Sequence, residues 1–302
     1  MSKIEFKPIT LEDRDRIQSF TLKGHSQICD LAFSNLYGWS ERYRTRWAVV
    51  ADSLVISFKP AHRSHPAYLM PVCGSIDKLE QVVEALHELS QEHDFPLVLM
   101  GIAPQCREAL DTLCPERFSY LHDEGSQDYV YLRERMVSLS GKSLQPKRNH
   151  INKFERNYPD YSYSEVTEEN LQACLELAAV WLDNSGENDS SRLDEQAMIE
   201  RCLRNREALG LQTGVLSVEG RVVAFSFGSP INENTFGIHV EKANINYEGA
   251  FAMINREFAR HIPEQYTYLN REEDLGIEGL RKSKQSYKPE LLLVKDTAIL
   301  RR

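Results

Sequence analysis

The chain has 302 residues and a formal net charge of −9, and 41% of its residues are hydrophobic. This length suits one large or two ordinary domains, and the acidic balance argues against a general nucleic-acid coat, so a polyanion site must be a local basic patch. No run approaches the ~20 apolar residues of a membrane span, and the charged start MSKIEFKPITLEDRDRI lacks the apolar segment of a signal peptide. We therefore expect a cytoplasmic protein without integral membrane association.

The first half mixes helices with short strands, as judged from apolar periodicity and turn residues. In chain order we predict helices at Ile9–Phe20 and Asp30–Tyr43, a hairpin at Trp47–Phe58, a strand at Tyr68–Val72, a helix at Ile76–Glu92, a strand at Pro96–Gly101, a helix at 104–114, and strands at Phe118–Leu121 and Asp128–Leu132.

The second half repeats this order of elements. We predict helices at Lys142–Asn157 and Glu168–Leu182, an extra helix at Leu193–Arg206, a hairpin at Val215–Phe227, a strand from Phe236, a helix at Gly249–His261, a strand at Tyr266–Asn270, a helix at Gly279–Tyr287 and a closing strand at Glu290–Val294. The repeat predicts an α+β protein of two domains, residues 1–137 and residues 138–302, each a mixed β-sheet flanked by helices. The small residues from Ser138 to Gly141 mark the boundary.

The strand that starts at Phe236 carries two candidate catalytic residues. Phe236, Ile238 and Val240 alternate with polar or small residues, which predicts that His239 and Glu241 leave one face of the strand together. A general base that deprotonates an amine can be built from either side chain. The alternative is the polar outer face of a half-exposed strand.

The run NREED follows the next predicted strand and supplies candidate substrate-binding residues. Asn270, Arg271, Glu272 and Asp274 lie in a loop between a strand and a glycine, where loops often carry function. The acids suit recognition of an amino group. The alternative is a solvated, charged loop.

Two basic clusters form a candidate anion or tRNA site. The first opens the second half with Lys147, Arg148, Asn152 and Arg156, and the second consists of Arg281 and Lys284. A phosphate-binding clamp requires the two clusters to converge beside Glu241 and Asn270. The alternative is two solvated helix faces whose charges are neutralised by nearby acids.

Other familiar motifs are missing. No phosphate-binding Walker loop, GxSxG elbow or dinucleotide fingerprint occurs. His62 and His65 are three residues apart but lack an acidic or cysteine partner nearby, so we expect no metal site.

Five spans together resemble the DUF2156 family, which is similar to the C-terminal catalytic region of bacterial phosphatidylglycerol lysyltransferases. They are CDLAFSNLYGW, GKSLQPKRNHINKFERN, FGIHVEKA, YEGAFAMIN and YLNREEDLGIEGLRKSKQSYKP. The resemblance covers most of the chain and is strongest over residues 141–289. Its Arg/Asn-rich helix matches Lys147, Arg148, Asn149, Asn152 and Arg156, and its closing element matches Leu280, Arg281, Lys284, Tyr287 and Pro289.

The resemblance implies a tandem of two GNAT-like acyltransferase folds, with Fem-type peptidyltransferases among the relatives. It implies an enzyme that transfers an aminoacyl group from an aminoacyl-tRNA to an amine or other small-molecule or peptide acceptor, with Tyr287 at the substrate site. One alternative is an N-acetyltransferase that uses acetyl-CoA as its cofactor, although Glu248 stands where the pyrophosphate would need bare amides. The other is a non-catalytic binding module. Free backbone amides in a notch between the strands at 238–241 and 267–270 would favour an enzyme. Side chains that fill this notch would favour the module.

Overall fold

The computed structural model describes residues 4–61, 63–183 and 189–301. His62, half of the histidine pair considered for a metal, lies outside these residues. The strands are β1 Lys7–Pro8, β2 Arg46–Val50, β3 Ser53–Phe58, β4 Ala67–Leu69, β5 Val98–Ile102, β6 Phe118–Leu121, β7 Asp128–Leu132, β8 Ser162–Ser164, β9 Gln212–Val218, β10 Arg221–Pro230, β11 Thr235–Ala243, β12 Tyr268–Asn270, β13 Leu291–Leu293 and β14 Asp296–Leu300.

The helices match most of the apolar stripes seen in the sequence. They are α1 Arg14–Thr21, α2 Phe33–Gly38, α3 Ser40–Tyr43, α4 Ile76–Glu92, α5 Pro104–Leu113, α6 Arg133–Ser138, α7 Gln145–Asn157, α8 Glu168–Asp183, α9 Asp189–Arg204, α10 Arg206–Leu209, α11 Ala250–His261 and α12 Glu278–Ser286. Among the helices within the described residues, none combines the length and apolar character that crossing a bilayer requires.

Two seven-stranded sheets share one topology in the described part of the chain. The first has the order β1-β2-β3-β4-β5-β14-β6, and the second has the order β8-β9-β10-β11-β12-β7-β13. In each sheet the fourth and fifth strands are parallel, and all other neighbours are antiparallel. The predicted fold class, α+β with two mixed sheets flanked by helices, is confirmed.

The two halves exchange their last strands. Strand β7 of the first half pairs with β12 and β13, and strand β14 of the second half pairs with β5 and β6. Both sheets therefore contain strands from either side of the proposed boundary at residues 137 and 138. The strand predicted at Glu290–Val294 occurs as the short β13, but it is not the closing strand, because the chain then crosses to the first sheet as β14.

A shared core also joins the halves. Leu36 and Leu54 from the first half pack in one buried cluster with Ile199 and Phe225 from the second. A second cluster lies between α7, α11 and the second sheet, and a third lies between α4 and the first sheet. Because burial of apolar area dominates stability, the halves are expected to stabilise each other.

The helix predicted at Asp30–Tyr43 is interrupted. A 3₁₀ turn at Cys29–Leu31 precedes α2, and α2 is separated from α3 by Trp39. Ala32 is extended, with φ −64° and ψ 128°, so the backbone changes direction before α2. This turn places the start of α2 next to the second sheet.

Candidate active site

Strands β11 and β12 pair over three residues and then separate. Residues 235–237 lie opposite residues 268–270 in parallel register. Strand β11 continues to Ala243, whereas the chain after Asn270 leaves the sheet. Arg271 and Glu272 follow the separation, and each contacts β11 through its side chain. This separation of β11 and β12 after Gly237 and Asn270, called the split below, brings part of the predicted NREED loop to the strand that carries His239 and Glu241.

His239 and Glu241 lie on opposite faces of the second sheet, so the same-face prediction is wrong. The register between β10 and β11 shifts at His239, which has no cross-strand partner there. Before the shift, Ile238 packs in the cluster beneath α11, whereas after it Val240 packs in the core shared by the two halves. A β-bulge inserts one residue and breaks the period of two on which the prediction depended.

His239 is buried and fully hydrogen-bonded. Its Nδ1 lies 2.8 Å from Oε1 of Glu272, and its Nε2 lies 2.9 Å from Oγ of Ser34 and 2.8 Å from Oγ of Ser229. Glu272 Oε1 also accepts a hydrogen bond of 2.7 Å from Nδ2 of Asn35. Because both ring nitrogens are engaged by buried neighbours, His239 connects α2 to the split and has little access to a substrate.

Glu241 lies on the other face, between Arg271 and Asn255 of α11. Its Oε1 accepts a hydrogen bond of 3.0 Å from Nη2 of Arg271, and its Oε2 accepts one of 2.8 Å from Nδ2 of Asn255. Among the described residues, Nη1 of Arg271 and Oδ1 of Asn255 are buried without a hydrogen-bond partner. The carboxylate of Glu241 is thus flanked by a free donor, Nη1 of Arg271, and a free acceptor, Oδ1 of Asn255. This is unusual, because buried polar groups in folded proteins almost always have partners.

Tyr287 connects this face to the first basic cluster. Nζ of Lys147 lies 4.0 Å from the centroid of the Tyr287 ring, and the guanidinium carbon of Arg271 lies 4.8 Å from the same centroid. Burial raises the pKa of Tyr287, so its hydroxyl stays protonated. Burial, together with the charge of Arg271, lowers the pKa of Lys147 to about 8, although Glu241 opposes the shift. Helices α7 and α12 thus meet beside Glu241.

Two other residues predicted to bind the substrate, Asn270 and Asp274, form hydrogen bonds inside the protein instead. Asn270 is fully buried, and its Nδ2 donates to the Asp128 carboxylate at 2.7 Å. Asp274 is also fully buried and accepts hydrogen bonds of 2.7 Å from Arg281 and from the Tyr129 hydroxyl. These contacts connect the loop to strand β7 and helix α12.

The remaining predicted anion residues do not gather in one place. Arg148 donates to backbone carbonyls in the turn before α7, and Arg281 pairs with Asp274. Lys284 is buried and donates to the carbonyls of the loop after β12, whereas Asn152 and Arg156 are exposed on α7. The predicted approach of the two basic helices therefore occurs through Lys147 and Tyr287, without contact between Arg148 and Arg281.

Sequence reasoning missed Asn255 and Asn35. Asn255 lies on the buried side of α11 beside Met253 and Ile254, and its side chain is almost completely buried. A polar side chain inside an apolar helical stripe is the available signal, since such a group needs a partner. Asn35 gave no comparable signal, because its role depends on the approach of Glu272 from the other half.

Gly249 allows α7 to pack against the start of α11. Its φ is +91°, and a Cβ there would lie 2.3 Å from the carbonyl oxygen of His150 and 3.0 Å from Cβ of Phe154. We expect Gly249→Ala to lower the free energy of unfolding by about 1–3 kcal/mol, because it combines backbone strain with overpacking. Urea denaturation measures this change. Gly279→Ala is the matched control, since its Cβ would meet no atom within 4 Å, and an equal loss there would contradict the explanation.

Comparisons with known proteins place this chain in a family. The family model for the C-terminal region of phosphatidylglycerol lysyltransferase matches residues 23–294. A crystal structure of a conserved protein of unknown function from Bacteroides thetaiotaomicron is 46% identical, with a TM-score of 0.94 over 99% of this chain and 100% of that chain.

More distant structures share the fold alone. L-PGS from Bacillus licheniformis has a TM-score of 0.67 at 18% identity, over 96% of this chain and 92% of that chain. The crystal structure of FemX has a TM-score of 0.64 at 9% identity, over 97% and 96%.

A curated relative is matched over part of its length. An uncharacterised protein of Mycoplasmoides gallisepticum is 26% identical over 171 residues, so the match spans about half of each chain, 56% of this one and 55% of the relative. The family model covers far more of the chain, and the predicted resemblance is confirmed. This chain, with its acyltransferase-like fold, belongs to the family of the phosphatidylglycerol lysyltransferase C-terminal region.

Proposed function

We propose that this protein transfers an aminoacyl group from an aminoacyl-tRNA to the amine of a small-molecule or peptide acceptor. One observation carries the proposal: the split between β11 and β12 places Glu241 between a free donor on Arg271 and a free acceptor on Asn255. Membership of the lysyltransferase family supports it, as does the fold shared with L-PGS and FemX. Because charged tRNA is a cytoplasmic donor, the proposal places the protein there.

In the proposed reaction, Glu241 accepts a proton from the acceptor amine. The amine nitrogen attacks the ester carbonyl carbon of the aminoacyl group, and a new C–N bond forms as the C–O bond to the ribose breaks. Nη1 of Arg271 donates to the carbonyl oxygen as its negative charge develops. Glu241 returns its proton to the departing ribose oxygen, so the proton balance closes. Glu241 is preferred to His239 as the base because each of its oxygens accepts one hydrogen bond and keeps a second lone pair, whereas both nitrogens of His239 are engaged.

Acetyl-CoA is a weaker candidate for the donor. The start of α11, where a GNAT enzyme would hold the pyrophosphate, packs against α7 at Gly249. Glu248 precedes it and pairs with Lys153 of α7 at 2.6 Å. A helix N-terminus favours anions, but this one is covered on one side and carries a carboxylate. We expect poor acetyl-CoA binding.

A non-catalytic binding module is the second candidate, and one observation favours it. The split is bridged by side chains on both faces, through Glu241–Arg271 on one and His239–Glu272 on the other. A ligand could occupy the free donor and acceptor without reacting. Binding without turnover is the result that this alternative requires.

The test is transfer of label from aminoacyl-tRNA. Total tRNA charged with labelled amino acids is incubated with the protein and a panel of primary amines, and labelled amide is separated from free amino acid. We expect amide product that depends on protein and acceptor, with at least one amino acid preferred. Release of free amino acid only, or tRNA binding without product, would refute transfer. Calorimetry with acetyl-CoA runs in parallel, and a micromolar dissociation constant would favour the N-acetyltransferase.

A further inference from the structure

We propose that Asn255 restricts the acceptor to primary amines, because its free oxygen binds the second N–H of the attacking nitrogen. The inference rests on the proposed function and narrows its acceptor from amines in general to the class that carries two N–H bonds. Secondary amines and alcohols carry one such bond and are rejected. Asn255 is thereby assigned as a residue that touches the acceptor and determines specificity.

The free oxygen of Asn255 is buried without a donor. The residue is 1% exposed on α11, and its Oδ1 has no hydrogen-bond partner among the described residues. The helical neighbours three residues before it and four residues after it are Ala252 and Ala259, which have no side-chain donor. A buried carbonyl oxygen that stays unpaired destabilises the fold, so its position here indicates a ligand that donates a hydrogen bond.

Glu241 determines the orientation of the Asn255 amide. It is ion-paired with Arg271, and an ionised carboxylate only accepts hydrogen bonds, so the amide turns its NH₂ group toward Oε2 of Glu241, at 2.8 Å. Oδ1 is bonded to the same amide carbon as Nδ2, which places it at most about 5 Å from that carboxylate oxygen. One nitrogen atom that donates two hydrogen bonds of about 2.9 Å spans such a separation. Oε2 and Oδ1 are therefore within reach of a single amine nitrogen.

The carboxylate is also accessible to an acceptor. The Glu241 side chain is 12% exposed, so solvent reaches part of it, and its Oε2 has a lone pair that Asn255 does not use. The amine approaches over the exposed part of Glu241 and meets the base and the free amide oxygen side by side. Nη1 of Arg271 lies beyond the other carboxylate oxygen, where the proposed reaction places the carbonyl of the donor.

The number of N–H bonds then separates the possible acceptors. A neutral primary amine has two N–H bonds and one lone pair. When one N–H is donated to Glu241 and the other to Asn255, the lone pair is left to attack the ester carbon. A secondary amine or an alcohol supplies a proton to only one of the two oxygens. Either the base then receives no proton, or the buried oxygen of Asn255 stays unpaired, and a site of this kind discriminates strongly.

The protons balance as they do in the proposed reaction. The ammonium form of the acceptor first loses one proton to water. As the C–N bond forms, one of the two remaining protons moves to Glu241 and from there to the departing ribose oxygen. The other stays on nitrogen as the N–H of the product amide, which still donates to Oδ1 of Asn255.

The experiment compares acceptors that differ in their number of N–H bonds. Formation of labelled amide from aminoacyl-tRNA is measured with n-butylamine and with N-methylbutylamine, and each rate is divided by the uncatalysed rate with the same amine. The variants are Asn255→Leu, the smaller Asn255→Ala and, as a matched control, Asn157→Leu at an exposed position on α7. Thermal melts establish that each variant is folded.

Equilibrium binding supplies a readout that needs no turnover. n-Butylamine and N,N-dimethylbutylamine are titrated against the full chain by calorimetry at pH 7, where alkyl amines are protonated. The two cations have the same charge, but the first has three N–H bonds and the second has one. Only the first can donate to Glu241 and Asn255 together.

We expect the parent to prefer n-butylamine to N-methylbutylamine by about 10–100-fold in kcat/KM, the effect of one buried group left unpaired. Both Asn255 variants lose a hydrogen bond to Glu241 and should slow with either amine, but their preference should fall to about threefold or less, because no second N–H is read. They should bind n-butylamine about tenfold more weakly than the parent and N,N-dimethylbutylamine at least as well. Asn157→Leu should match the parent throughout.

An unchanged preference in both Asn255 variants would overturn the inference. It would mean that the N-methyl group is excluded by its size, or that Asn255 binds the amino group of the donor. The proposed function fails separately, because absence of amide from either amine refutes transfer. The binding pair then decides alone: selective weakening of n-butylamine supports the amine site, whereas no saturable binding by the parent, or equal weakening of both ligands, overturns it.

Discussion

Glu241→Gln is expected to lower the rate of aminoacyl transfer by about 10²–10⁴-fold, the usual contribution of a positioned general base. Glutamine has the same shape and can still accept a hydrogen bond from Arg271 or Asn255, but it cannot take up the proton of an amine. Because buried Arg271 loses its charged partner, the variant should be less stable than the parent, so thermal melts must first establish that it is folded at the assay temperature, where the chemical step should slow. Single-turnover assays with labelled aminoacyl-tRNA measure that step directly.

The matched control is Glu248→Gln, which removes the same charge from an exposed residue paired with Lys153. It should retain the parent rate. Binding of an RNA microhelix ending in CCA by Glu241→Gln should be at least as tight as that of the parent, because a negative charge beside Arg271 is removed. A single-turnover rate within threefold of the parent would show that Glu241 is not the base.

Lys295→Met is expected to lower the free energy of unfolding by about 3–5 kcal/mol, because it removes one partner from a buried ionic cluster. Nζ of Lys295 lies 2.8 Å from Asp30 and 2.7 Å from Asp128, and it also contacts Glu273. Burial alone would lower the pKa of Lys295, but these carboxylates together raise it well above its usual value. The variant would leave fully buried Asp128 and partly exposed Asp30 and Glu273 without their cation.

The sign of the pH dependence separates this explanation from simple loss of packing. In the parent, a raised lysine pKa stabilises the fold at neutral pH, and the effect is lost only as pH rises through the folded-state value. Burial raises the pKa of Glu273, so in Lys295→Met the remaining acids should prefer to be protonated, and stability should increase as pH falls from 7 to 5.

Urea unfolding, monitored by circular dichroism at pH 7 and at pH 5, measures the loss of stability and its dependence on pH. The control Lys282→Met removes an exposed lysine paired with Glu278 and should change stability by less than about 0.5 kcal/mol. A loss in Lys295→Met that does not vary with pH would point to packing as the cause. A loss no larger than that of Lys282→Met would mean that the cluster contributes nothing to stability.

The sequence predicted several elements with the bounds that the structure shows. The helix at Ile76–Glu92 and the strands at Phe118–Leu121 and Asp128–Leu132 occur with the predicted bounds. The order of elements was sufficient to predict two similar mixed sheets. It could not show that β7 and β14 exchange sheets, because strand partners depend on contacts between segments far apart in sequence.

The site was predicted in part, and the failures have physical causes. Glu241 and Arg271 were chosen, and they meet at the split. The β-bulge at His239 interrupts the alternation of side chains between the two faces of the sheet. The two-residue period of apolar residues in the sequence gives no sign of such a bulge. Arg148 was predicted to bind anions together with Lys147 because both are basic. Only the fold shows that Arg148 donates hydrogen bonds to carbonyl oxygens in the turn before α7.

The exchange of β7 and β14 has a consequence for how the protein is made. Strand β14 lies between β5 and β6, so the first sheet has a gap until β14 has left the ribosome. The N-terminal half cannot complete its sheet before β14 is made, although domains usually fold in order as they emerge. Until then the edges of β5 and β6 present unpaired backbone groups, which are templates for aggregation. Nascent chains stalled before β14 are therefore expected to need chaperones, and the emergence of β14 is expected to trigger folding of both halves together.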